Sequence, residues 1–155
     1  MKLSRTLSGG FFFLLLLIYL PMQVQAQDTL VQKKSVVTSV GDQKLLWGPC
    51  PDFMPEGCEI AILHGDPAKR NVDVFLRVPA GSVIPNHIHT SAERMILVGG
   101  ELEVTYEGEE PARLKIGTYA FGPAKKPHSA KCGDSSPCTL FIAFEEPLDA
   151  ILVKD

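Results

Sequence analysis

Glycine and proline interrupt this chain at close intervals from residue 48 onward, and the stretches between them are short and rich in β-formers. The runs are Glu59 to His64, Asn71 to Val78, Arg94 to Val98, Glu101 to Tyr106, Ala112 to Ile116, Thr118 to Phe121, Thr139 to Phe144 and Asp149 to Val153. None is long enough to read as an amphipathic helix, and each is bounded by turn residues, which predicts strands. Many short strands joined by Gly/Pro turns make a sandwich or a barrel. Ser35 to Val40 predicts a further, first strand, and Gly48 to Gly57 reads as a loop. The fold class is all-β, in a single domain.

Alternation assigns faces to the strands. Leu102, Val104 and Tyr106 are apolar against Glu101, Glu103 and Thr105, so one side packs and the other meets water. Val72, Val74, Leu76 and Val78 oppose Asn71, Asp73, Phe75 and Arg77 in the same way. Arg77 is therefore read as a solvent residue, the alternative being a pocket cation. Thr139 to Phe144 is almost continuously apolar and reads as a central strand.

Three of the four histidines fall in two blocks. The first is Gly81-x5-His87-x-His89-x3-Glu93-x6-Gly100, and the second is Gly117-x5-Pro123-x4-His128. Residues two apart on a strand point to one face, so His87 and His89 can offer nitrogens to one ion while Ile88 turns away. A short bend returns the Glu93 carboxylate, and His128 ties a distant strand to the same centre. Three nitrogens and a carboxylate suit iron, manganese, nickel, copper or zinc rather than calcium. The segment Thr90 to Leu97 also reads as a helix start, with a hydroxyl N-cap and an acidic first turn. The run from Met95 into Gly99-Gly100 and then the alternating Glu101 to Tyr106 favours a hairpin instead. His64 belongs to neither block and is read as an ordinary half-buried residue.

Over roughly residues 70 to 145 these blocks resemble the two motifs of the cupin superfamily. The resemblance implies a double-stranded β-helix, or jelly-roll barrel, over about residues 48–155, with one metal near the barrel axis held by His87, His89, Glu93 and His128. It also implies that a homodimer is a common state for a chain of this size. Two positions depart from the second motif: Lys125 stands where a glycine is usual, and Cys132 where an asparagine is usual.

The first twenty-six residues read as a cleavable targeting segment. Lys2 and Arg5 begin it, Phe11 to Leu20 is an unbroken apolar run, and Val24-Gln25-Ala26 is a small-residue cleavage pattern. Ten apolar residues are too few to remain as a membrane span. Cleavage predicts a secreted or periplasmic protein beginning at Gln27, with a leader and first strand over 27–47. Removal of Lys2 and Arg5 moves the formal charge from −3 to −5. That mild acidity argues against nucleic acid and anionic membrane surfaces as partners, since both reward basic patches.

Export changes how the four cysteines read. Cys50 and Cys58 bracket one turn-rich loop, and Cys132 and Cys138 bracket another. Four cysteines allow three pairings, of which the local one closes both loops. A zinc site built from all four is the alternative, against which stands the absence of two-to-four-residue knuckle spacing.

Fold and metal motif do not choose among the activities of cupin-like proteins. The leading expectation is an exported, metal-dependent enzyme acting on a small organic substrate, with oxygenase-like or Lewis-acid chemistry. No catalytic acid or base can be singled out beyond the ligands, which keeps a non-catalytic small-molecule or metal sensor as the alternative. A germin-like secreted oxidase is the third reading, although the chain is short for one.

Overall fold

In the computed structural model, residues 35–154 are described. The targeting segment over residues 1–26 and the start of the leader lie outside them. Eleven strands form: β1 (Trp47–Pro49), β2 (Glu59–His64), β3 (Val72–Val78), β4 (Val83–Ile88), β5 (Glu93–Gly99), β6 (Leu102–Tyr106), β7 (Ala112–Leu114), β8 (Tyr119–Gly122), β9 (His128–Cys132), β10 (Cys138–Phe144) and β11 (Ile151–Leu152). No helix occurs among the described residues. One sheet has the order β1-β2-β3-β10-β5-β8 and the other β11-β4-β9-β6-β7, every pairing antiparallel. This is the jelly-roll barrel.

The alternation works as the sequence predicts on the inner faces. Leu102, Val104 and Tyr106 are buried while Glu103 and Thr105 are half-buried, and the run Cys138–Phe144 is indeed central, paired with β3 on one side and β5 on the other. Val74, Leu97 and Leu140 from one sheet share a single core with Ile84, Leu102 and Val104 from the other. Burial of these apolar faces is the main force closing the barrel, at about 25 cal/mol per Å² removed from water.

Three expectations need correction. Ser35 to Val40 forms no strand, because the chain turns there, with Asp42 N–H donating to the Ser39 carbonyl at 3.0 Å. Local alternation without a neighbour to pair with does not make a strand. The first strand is β1, which overlaps the start of the stretch read as a loop, and its Pro49 is tolerated because β1 is an edge strand. Phe75, read as solvent-facing, is buried and meets Phe141 edge-on with ring centroids 6.4 Å apart. It belongs to an apolar row that crosses the outer face of the six-stranded sheet in register: Trp47, Ala61, Phe75, Phe141, Ile96 and Tyr119. Arg77 lies on that outer face, paired with Glu59 and stacked 4.2 Å over the Trp47 ring, so it is not a pocket cation.

Both expected disulfides are present, Cys50–Cys58 and Cys132–Cys138, so the four-cysteine zinc site is not formed. The second bears on the end of the first motif. Gly100 has φ +78°, and a Cβ there would lie 2.6 Å from the Pro137 carbonyl oxygen and 3.0 Å from Cys138 Sγ. Only glycine meets both the turn and the close approach.

Candidate metal centre

Register brings the two histidine blocks together. His87 on β4 is directly opposite His128, the first residue of β9, and His128 is opposite Tyr106 on β6. His89 follows the end of β4, two residues after His87, and the bend over Thr90 to Ala92 leads into Glu93, which opens β5 in the facing sheet. All four side chains are buried. One nitrogen from each of His87, His89 and His128 converges, the three lying within 4.8 Å of one another. The Glu93 carboxylate is outside that triad but borders it: Oε1 is 3.2 Å from His128 Nε2, and Oε2 is 3.6 Å from His89 Nε2. His64 is remote from the cluster and exposed at the end of β2, rather than half-buried.

The imidazoles are oriented from behind. Nδ1 of His87 lies 2.8 Å from the Pro85 carbonyl oxygen, Nδ1 of His128 lies 3.0 Å from that of Lys126, and Nδ1 of His89 bonds the carbonyl of Asp149. A carbonyl can only accept, so each Nδ1 carries the proton and each Nε2 presents a lone pair. Three imidazoles held this way by backbone carbonyls are the supporting arrangement of a nitrogen-ligated metal site. The donor set therefore fits a divalent transition metal.

Burial sets the charges. It holds the imidazole of His87 down at about 4 and that of His128 at about 3, with repulsion between the imidazoles adding to both, and it lowers His89 as well. All three are neutral at pH 7, the form that ligates. Burial pushes the Glu93 carboxyl up to about 8, opposed by the Tyr106 hydroxyl 3.5 Å away. Without a metal, its contact with His128 is then a neutral hydrogen bond, the carboxyl O–H donating. Binding a cation there releases that proton, because a nearby positive charge restores the carboxylate.

Two positioning features complete the site, the first without a signal in the sequence and the second visible there as a departure from the motif. Gly122 on β8 is directly opposite Glu93, and a Cβ there would stand 2.7 Å from Glu93 Oε1 and 3.0 Å from the Tyr106 hydroxyl. Gly122→Ala should displace the carboxylate and weaken metal affinity about 10- to 100-fold, the range for a lost supporting contact. Metal titration reads this, and an unchanged affinity would show that Glu93 takes no part. The second is Lys125, which adopts φ +62° and donates its N–H to the His89 carbonyl at 2.8 Å. A lysine thus performs the turn a glycine usually makes. Lys125→Gly should raise stability by about 0.5 to 1 kcal/mol by removing the left-handed penalty, leaving one metal per chain. Equilibrium denaturation measures it; a loss of stability would contradict the strain.

The cluster opens onto a cavity of about 430 Å³ between the sheets. Its walls include Val74, Met95, Val104, Leu140, Ile142 and Phe144, and the loop closed by Cys50–Cys58 adds Pro51 and Met54. Beyond the histidines and Glu93, the only polar side chain on the wall among the described residues is Asp149, whose carboxylate accepts from Thr90 N at 2.8 Å and from the Thr90 hydroxyl.

The sequence matches the family of ChrR cupin-like domains over residues 35–147. No curated protein matches it significantly. Among solved structures, the chain is similar to the DMSP lyase DddQ from Ruegeria pomeroyi (23% identity, TM-score 0.61, 70% of this chain and 61% of that one). It is also similar to the polyketide cyclase RemF from Streptomyces resistomycificus (18% identity, TM-score 0.63, 77% and 87%). A third is an RmlC-like cupin from Shewanella frigidimarina (21%, 0.58, 74% and 93%). The chain spans less than two thirds of the lyase, and identities this low show shared fold alone.

Proposed function

The chain belongs to the ChrR cupin-like family, and on that premise we propose that it is an exported metalloenzyme in which His87, His89, His128 and Glu93 hold one divalent transition metal against a small organic substrate. The observation that carries this reading is the set of three carbonyl-anchored imidazoles facing a largely apolar cavity. Iron, manganese, nickel, copper and zinc all suit the donors. Such an ion supplies Lewis-acid polarisation or oxygen activation at a bound oxygen atom. The chain's own residues do the rest: the histidines fix the ligand geometry, Glu93 adds one negative charge and exchanges one proton, and the apolar walls exclude water. Similarity of fold to a DMSP lyase and a polyketide cyclase supports small-molecule chemistry.

One observation favours a non-catalytic sensor as the second reading. Among the described residues, no acid or base other than the cluster itself faces the cavity free of a partner, since Asp149 is occupied by Thr90. The stripped protein, reconstituted in turn with the five metals, should consume oxygen or substrate with at least one member of a panel of phenols, flavonols and dicarboxylates. Ligand binding without turnover under every metal establishes the sensor; failure to hold any metal defeats the metalloenzyme and the metal sensor, and leaves only a small-molecule sensor.

The two disulfides support an oxidising compartment, and with it export to the periplasm or medium. The exported chain should begin at Gln27 by mass analysis, and retention of Phe11 to Leu20 would contradict this. A homodimer belongs to the same proposal and is read by light scattering.

A further inference from the structure

The walls behind the imidazoles come in two register layers. Nearest the cluster are Val74, Met95 and Ile142 from one sheet and Ile84, Val104 and Ala130 from the other. Deeper lie Ile60, Leu76, Leu140 and Leu102. Neither layer contains a charge, a hydroxyl or an amide side chain. No lysine or arginine lines the cavity among the described residues, and two arginines of the neighbouring strands are engaged elsewhere, Arg77 with Glu59 and Arg94 with Glu145.

That composition selects ligands by what it cannot solvate. A carboxylate, phosphate or ammonium group carried past the cluster would meet only hydrocarbon, and unpaired charge in such surroundings is strongly disfavoured. An apolar body gains from the same walls. The hydrogen-bonding and charged groups are concentrated at one end, the imidazoles, Glu93 and Asp149, whose carboxylate is taken up by Thr90 and whose carbonyl bonds His89.

We infer that the cavity takes a neutral, largely hydrocarbon molecule with one oxygen function at one end, the oxygen lying at the histidine cluster, and that it rejects compact dicarboxylates. The inference rests on the metalloprotein reading above for what meets the oxygen, and on the walls alone for the rest of the ligand. It narrows the substrate class.

The test uses the full exported chain loaded with one equivalent of cobalt(II), its metal content measured first. Calorimetry and the visible cobalt spectrum then follow titration with 2-naphthol and, separately, with succinate. 2-Naphthol should bind at least 100-fold tighter and alter the cobalt spectrum. Ala130→Leu, which fills the first layer, should lower 2-naphthol affinity at least tenfold while metal content stays at one per chain; Val74→Leu serves if that variant does not fold. Succinate binding as tightly as 2-naphthol, or a filled cavity that binds 2-naphthol unchanged, overturns the inference. A chain that holds no cobalt defeats the metalloprotein reading instead, and the same pair of probes on that metal-free chain still decides whether the walls prefer the neutral molecule.

Discussion

His87→Ala or His89→Ala will abolish stoichiometric metal binding, because each removes one of three nitrogens that converge within 4.8 Å and leaves only two imidazoles at the centre. His128→Ala should do the same from the opposite strand. Glu93→Ala should weaken binding strongly without abolishing it, since its oxygens border the triad rather than belong to it. His64→Ala, exposed and remote from the cluster, is the control that should change nothing. Metal analysis after dialysis reads the stoichiometry, and thermal unfolding supplies a second signal. A ligand present at a thousandfold its dissociation constant stabilises the native state by about 4 kcal/mol, so the wild type should gain that from metal and the histidine variants should gain nothing. Full metal content in the His87 and His89 variants would mean the ion is held elsewhere.

The second large effect belongs to the disulfides. Replacing both Cys132 and Cys138 by alanine should cost about 2 to 3 kcal/mol from loop closure, as should removal of Cys50–Cys58. The site should survive loss of the Cys132–Cys138 bridge. Cys132 lies four residues from His128, roughly 13 Å along an extended strand, and β9 is held on both sides, by β6 in five register pairs and by β4 in three. Metal affinity within about tenfold of wild type, alongside the lost stability, is therefore expected. If metal binding vanished while the barrel stayed folded, the bridge and not the sheet would be positioning His128. Chemical denaturation with parallel metal titration separates the two outcomes.

Most of the architecture was legible because the inner faces are apolar at period two, and the convergence of His87, His89 and His128 was legible because their spacing is unusual for any structural purpose. What failed did so for identifiable reasons. β4 and β9 escape a search for apolar runs because His87 and His128 take inward positions that hydrocarbon side chains occupy in other strands, and Pro85, Asn86 and Lys131 dilute what is left. β1 hides behind Gly48 and Pro49, residues that signal a loop unless the strand is at an edge. Phe75 looks outward by alternation, yet its outward neighbour Phe141 buries it. The cavity could not be read at all. Met95, Leu140 and Ile142 carry the pattern of core residues whether they face another side chain or a space of about 430 Å³, and only the register of both sheets reveals which. Gly122 likewise carries no local signal, since its need for a missing Cβ arises from Glu93, twenty-nine residues away.

The central claim, one metal held by imidazoles from β4, the residue that follows it and β9 beside an apolar space, is tested most directly by X-ray absorption at the cobalt edge of wild-type protein loaded with one equivalent of cobalt(II). The account predicts outer-shell scattering from three imidazoles, His87, His89 and His128, with the remaining first-shell atoms oxygen. Coordination by oxygen alone, or by a single imidazole, would contradict it.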